Sequence, residues 1–155
     1  MVKSAAAAAA VVMLLLTACE IDHGLGTIES RITGRVVFLH PELKPGRIDA
    51  VRVVAVVNFP PRSLGDLVFT NTSINLSQPA PAYSLPAPLA TYVLVGAIYR
   101  EKGRDWDYSN ILGFYGAIPD SNIYTVEAVT LDKAHPVAES IDIYCDWAMV
   151  PRAGR

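Results

Sequence analysis

The densest gathering of chemically useful side chains in this 155-residue chain runs from Tyr99 to Asn110, where Arg104, Asp105 and Asp107 are interleaved with Trp106 and Tyr108. Flat aromatic faces beside carboxylates and a guanidinium suit recognition of a sugar or a protein surface. The ring covers an apolar face while the charged groups exchange hydrogen bonds with polar edges. Arg104, Asp105, Trp106, Asp107 and Tyr108 are therefore the candidate binding residues. The competing expectation is a solvated hairpin tip with Trp106 folded back on the core. Asp105, Asp107 and Ser109 also match the first alternating oxygen positions of a calcium loop. The match then fails, because Asn110 stands where the sharp-turn glycine belongs and Gly116 where the bidentate glutamate belongs. No metal and no cofactor is expected.

Catalysis needs a nucleophile, a base and a charge stabiliser brought together, and no local signature supplies them. His23, His40 and His135 fall in a tether and two proline-bounded connectors, and no Gly-x-Ser-x-Gly, His-Glu-x-x-His or phosphate-loop pattern occurs. Asp142 and Asp146 share one face of a strand, where their expected role is solvation of the outer side of a sheet. A non-enzymatic protein is the expectation, with a triad assembled from distant residues as the remaining alternative.

The opening residues bear on location. Lys3 gives a short positive start, and an unbroken apolar run over residues 5–16 precedes the small residue Ala18, the layout of a secretory signal. The run is short of the roughly 20 apolar residues that cross a bilayer. A buried helix or an uncleaved anchor is the alternative. Leu16-Thr17-Ala18-Cys19 resembles the lipobox of bacterial lipoproteins. The resemblance implies cleavage after Ala18, thioether lipidation of Cys19 and an acylated Cys19 as the mature N-terminus, held to a membrane by several acyl chains. One chain alone holds only marginally, at about 0.8 kcal/mol per buried CH₂. Glu20 rather than Asp after the cysteine implies outer-membrane sorting in a diderm bacterium. The expected location is thus the bacterial cell envelope, with the membrane as partner through Cys19.

Cleavage after Ala18 leaves 137 residues, enough for one domain with its own core. Losing Lys3 leaves 12 basic against 15 acidic side chains, with no basic run to track a phosphate backbone, so nucleic acid is not an expected partner. Nothing in the pattern sets an oligomeric state. Lipidation of Cys19 would leave Cys145 without an intramolecular partner. Alternation from Ile141 to Trp147 places Cys145 on one face with Ile141, Ile143 and Trp147, the setting of a buried, inert thiol.

The chain divides into a signal over 1–18, a lipidated N-terminus and tether over 19–29, a folded domain over 30–149 and a frayed tail over 150–155. Ten tether residues reach roughly 30 Å when extended. Period-two alternation predicts strands over 31–39, 49–58, 67–70, 82–86, 91–100, 111–115, 124–131 and 141–147. The valine-rich second strand is expected in the middle of a sheet, covered on both faces for part of its length. Gly34 is expected to mark a bulge or a close backbone approach. In the fifth strand Tyr92, Leu94 and Ile98 should face opposite to Val93, Val95 and Tyr99. Residues 59–66, with consecutive prolines, form a stiff loop, read as a connector of fixed exit angle or as a recognition surface.

Tyr83-Ser84-Leu85, a proline-containing turn at Pro88, then Thr91, Tyr92 and Val95 resemble the prealbumin-like sandwich of carboxypeptidase regulatory-like and transthyretin-like domains. The resemblance covers Ile28 to Trp147. It departs at Ala90, where such domains often carry glycine. It implies an all-β fold, a seven- or eight-stranded antiparallel β-sandwich of prealbumin-like or immunoglobulin-like type, that displays or binds and sometimes contacts glycans. The expected function is a membrane-anchored envelope lipoprotein acting as a non-catalytic binding or interaction module for a protein or glycan. A structural accessory subunit of an envelope complex comes second, and an envelope hydrolase third.

Overall fold

Alternation along β1 (Arg31–Leu39) buries Ile32, Val36 and Phe38 and leaves Arg35 in solvent, so this strand has one core face. β2 (Ile48–Val56) is buried on both faces over most of its length. These two strands are the inner members of two sheets. The computed structural model describes residues 29–151; the expected signal, Cys19, the tether up to Ile28 and tail residues 152–155 lie outside the described residues.

In the first sheet β4 (Ala82–Pro86) pairs antiparallel with β1, and β11 (Val137–Ala138) and β12 (Ile143–Asp146) follow one another along the other side of β1, both parallel to it. In the second sheet the order is β3 (Leu67–Phe69), β2, β6 (Leu94–Glu101) and β7 (Ile111–Phe114), antiparallel throughout. Two short ladders complete the set. β5 (Thr91–Tyr92) pairs with β10 (Val129–Thr130), and β8 (Ala117–Ile118) pairs with β9 (Ile123–Tyr124). The core between the sheets joins Ile32, Val36 and Ile143 of one layer to Val51, Val53, Val95 and Ala97 of the other. The protein is an all-β sandwich.

Two ends can be defined. At the proximal end the described chain enters β1 at Arg31, opposite Pro86. Ser30 accepts from the Ala87 N–H (3.1 Å) and donates its hydroxyl to the Ala87 carbonyl (2.6 Å). Residues 87–93 then cross between the sheets, and the Val93 N–H donates to the carbonyl of Val56 at 2.9 Å. β6 runs from there to the distal end, where Glu101 lies opposite Ile48 and where β1 finishes beside Asp146.

Tyr83 and Tyr92 are buried but keep their hydroxyls bonded, Tyr83 to the Ile141 carbonyl and Tyr92 to the Pro88 carbonyl, both at 2.7 Å. A buried phenol needs such a partner, since an unmade hydrogen bond costs about 1–3 kcal/mol. Ala90 takes no positive φ, so the proximal turn closes without glycine. Gly34 is a close approach, as expected. A Cβ there would run into the Ile141 backbone, at the interruption between β11 and β12.

Several expectations are corrected. The strand over 91–100 is broken at Val93, so Tyr92 faces the core with Val95 and Tyr99 and not the side of Leu94 and Ile98. The strand over 124–131 survives only at its ends, because Tyr124 pairs with β8 and Val129 with β5, and the exposed residues 125–128 span the two ladders. The turn punctuated by Gly116 and Pro119-Asp120-Ser121-Asn122 is the β8–β9 hairpin, and the connector around His135-Pro136 contains β11. Pairing of the last strand is limited to 143–146, after which Trp147–Met149 makes a 3₁₀ turn. Asp146 does not solvate the sheet; it is buried, accepting from the Ala148 N–H and from His40 Nδ1, each at 2.8 Å.

Candidate functional site

The outer face of the second sheet positions the candidate residues. Cross-strand partners share a face, so Arg52 with Ile98, Val54 with Gly96, and Val56 with Leu94 form one row pointing away from the core, with Ala50 and Arg100 at its distal end. The row changes character along its length. Val54, Val56, Leu94 and Ile98 are buried, whereas the distal end carries two guanidiniums.

Trp106 lies against those guanidiniums, its ring centroid 5.2 Å from Arg52 and 5.4 Å from Arg100. Each such contact is worth about 0.5–2 kcal/mol, more when water is excluded. Arg100 also grips Asp49 with Nε and Nη2, both at 3.2 Å. Arg52 has no such carboxylate, and its Nε is buried without a hydrogen-bond partner among the described residues. Trp106 is thus half-buried and already engaged, but on the outer face of the second sheet and not on the core.

The loop that carries Trp106 is pinned by its own turns. Gly103 takes φ +71°, which glycine adopts without strain, and the Arg104 N–H closes back on the Glu101 carbonyl at 3.1 Å. Asp107 accepts from the Ser109 N–H (2.8 Å) and hydroxyl (2.7 Å), and these bonds hold its carboxyl below the usual range. Its Oδ1 therefore serves the loop. Among the described residues no cluster of three or more His, Cys, Asp or Glu side chains is arranged to hold a metal. Lys102 N–H to the Arg47 carbonyl (2.8 Å) and Arg47 Nε to Glu101 (2.6 Å) tie the base of the loop to the start of β2, and Arg47 also reaches the Pro151 carbonyl.

The loop encloses an open recess of about 1030 Å³, lined by Leu64 and by residues of the loop including Trp106, Asp107 and Tyr108. All five sequence candidates meet here. Arg104, Asp105, Asp107 and Tyr108 are exposed, and Trp106 forms the half-buried part of the wall. Arg52 and Leu64 were not among the candidates. Arg52 had a readable signal, since a lone charge between Val51 and Val53 in a strand covered on both faces needs something to cover it. Leu64 had none, because its role depends on how the 57–66 connection folds across the sheet.

Elsewhere the described histidines meet carboxylates. His40 bonds Asp146, and its pKa is raised first by that hydrogen bond and then by the charge of Asp146. His135 lies 3.4 Å from Asp132 on an exposed turn. Cys145 is fully buried, and burial pushes its thiol far up, so it is the inert core residue expected. Comparison with protein-family models, curated proteins and solved structures finds no match for this chain.

Proposed function

We propose that the protein is a lipid-anchored lipoprotein of the bacterial cell envelope, in the outer membrane where there is one, and that its β-sandwich is a non-catalytic binding module for a glycan or protein ligand. The observation that carries this reading is the opposition of the two ends. A chain held at Cys19 reaches the domain at Arg31, while the Trp106 recess lies at the far end of β6. An anchor at the first end leaves the recess at the end of β6 opposite the point of attachment. The recess offers the half-buried Trp106, the exposed Tyr108 and the exposed charges of Arg104 and Asp105, the mixture that sugar and protein recognition uses. The resemblance to carboxypeptidase regulatory-like and transthyretin-like domains supports display rather than chemistry.

Two measurements test it. Mass spectrometry of the membrane-bound protein should find an N-terminal Cys19 carrying diacylglyceryl and palmitate-type chains, and Cys19→Ala should release the protein from membranes. A glycan array and pull-downs from envelope extracts should yield ligands that Trp106→Ala combined with Tyr108→Ala no longer retains. Retention of every ligand by that double variant contradicts the recess as the binding surface.

A further inference from the structure

The outer face of the second sheet holds another depression, at the proximal end. Leu94, Ile111 and Phe114 line it from the sheet, and Val57, Phe59, Val93 and Val126 line it from the flanking connections; its volume is about 740 Å³. Asn58 is its one polar lining side chain among the described residues, and no charged one lines it. The four connection residues are held open to solvent, Phe59 at 57% and Val126 at 46% exposure. Contiguous exposed apolar surface of this kind marks an interaction or membrane-contact site.

The path of the chain selects the occupant. Ser30 is paired to Ala87, and six residues later Val93 is paired to Val56, so the point where the chain enters the domain and the mouth of the groove share one end. The tether before Arg31 spans roughly 30 Å at full extension. An acylated Cys19 therefore keeps this end within one tether length of lipid at all times, a high effective concentration that a freely diffusing partner or second copy does not have. The chemistry agrees, because valine and phenylalanine enter the acyl boundary without desolvating a charge.

We infer that the rim formed by Val57, Phe59, Val93 and Val126 is a bilayer-contact surface, which seats the sandwich on the membrane by its proximal end. This rests on the anchor at Cys19. Seating fixes the orientation of the domain rather than leaving it to swing on a loose tether.

The test uses the full lipidated protein in phosphatidylcholine vesicles. A nitroxide is attached at Val126→Cys or, as the distal control, at Leu43→Cys; Cys145 is buried and unreactive, and a lipidated Cys19 is blocked. The Val126→Cys label should be more accessible to oxygen than to an aqueous nickel complex, whereas the Leu43→Cys label should favour the nickel complex. Adding Phe59→Asp should return the Val126→Cys label to aqueous accessibility while circular dichroism shows the fold retained. A Val126→Cys label as water-exposed as the Leu43→Cys label, on protein that still floats with vesicles, overturns the seating and leaves the anchor standing. Burial of the label that depends on protein density in the vesicle identifies a second copy as the occupant and also overturns it. An unacylated Cys19, read independently by mass, removes the anchor and the seating together.

Discussion

The proximal groove and the distal recess lie on the same side of the second sheet, with Ile111 lining the one and its chain neighbour Asn110 the other, and are built from opposite chemistry. The groove stands on Leu94 and Phe114 and is rimmed by Phe59, with no charged lining side chain. The recess is set around Trp106, Glu101, Arg104 and Asp107, beside a row end that holds Arg52 and Arg100. Within β2 the outward positions run from Val56 through Val54 to Arg52, so the change is written into three alternate residues of one strand. What differs most is the cover. The connection over 57–66 leaves Val57 and Phe59 facing solvent, whereas the loop after β6 lays Trp106 over two cations. One side of the sheet thus carries an apolar groove and a polar, aromatic recess.

The comparison can be broken at its foundation or at either end. Gly113→Ala attacks the foundation, since a Cβ there runs into the Tyr144 carbonyl where β7 meets β12. It should cost about 3 kcal/mol by urea denaturation and loosen both ends together. Trp106→Ala should cost about 2 kcal/mol through lost burial and lost contact with Arg52 and Arg100. Ligand retention at the distal end should disappear, with vesicle seating at the proximal end unchanged. Tyr108→Ala sharpens the contrast, with stability within about 0.5 kcal/mol of the parent but distal ligand affinity lowered about tenfold.

The smallest effect concerns His40, which takes a left-handed backbone (φ 51°) that asparagine also tolerates. Its pKa is raised above 6.5 by Asp146. A raised histidine contributes stability that is fully present below its unfolded pKa and is lost as pH rises through the folded value. The parent should therefore exceed His40→Asn in stability most clearly below pH 6.5, with the gap closing above the His40 pKa. Chemical denaturation over a pH series, with the His40 titration followed by NMR, checks this.

The fold was legible where alternation runs unbroken along a strand whose core face does not change. The alternation of Ile32, Val36 and Phe38 and the valine run of β2 predicted their burial, and Ile141 to Trp147 predicted the inert Cys145. It was illegible where the chain changes partner without changing pattern. Tyr92-Val93-Leu94 alternates like a strand, yet Tyr92 pairs with Val129 and Leu94 with Val56. Residues 124–131 hide a similar switch. The recess was half legible. The candidate residues of the loop do converge, but the masking of Arg52 by Trp106 depends on packing across 54 residues of sequence, which no local spacing reveals. Asp146 was misread because the start of the 3₁₀ turn and the arrival of His40 bury a carboxylate that alternation alone places outside.

The division between the two ends is tested most directly by site-specific photo-crosslinking in living envelopes, with a photoreactive amino acid at position 59 or at position 108 of the full-length protein. The account predicts phospholipid adducts from position 59 and discrete protein or glycan adducts, without lipid, from position 108. Lipid adducts from position 108, or a protein partner and no lipid from position 59, would contradict it.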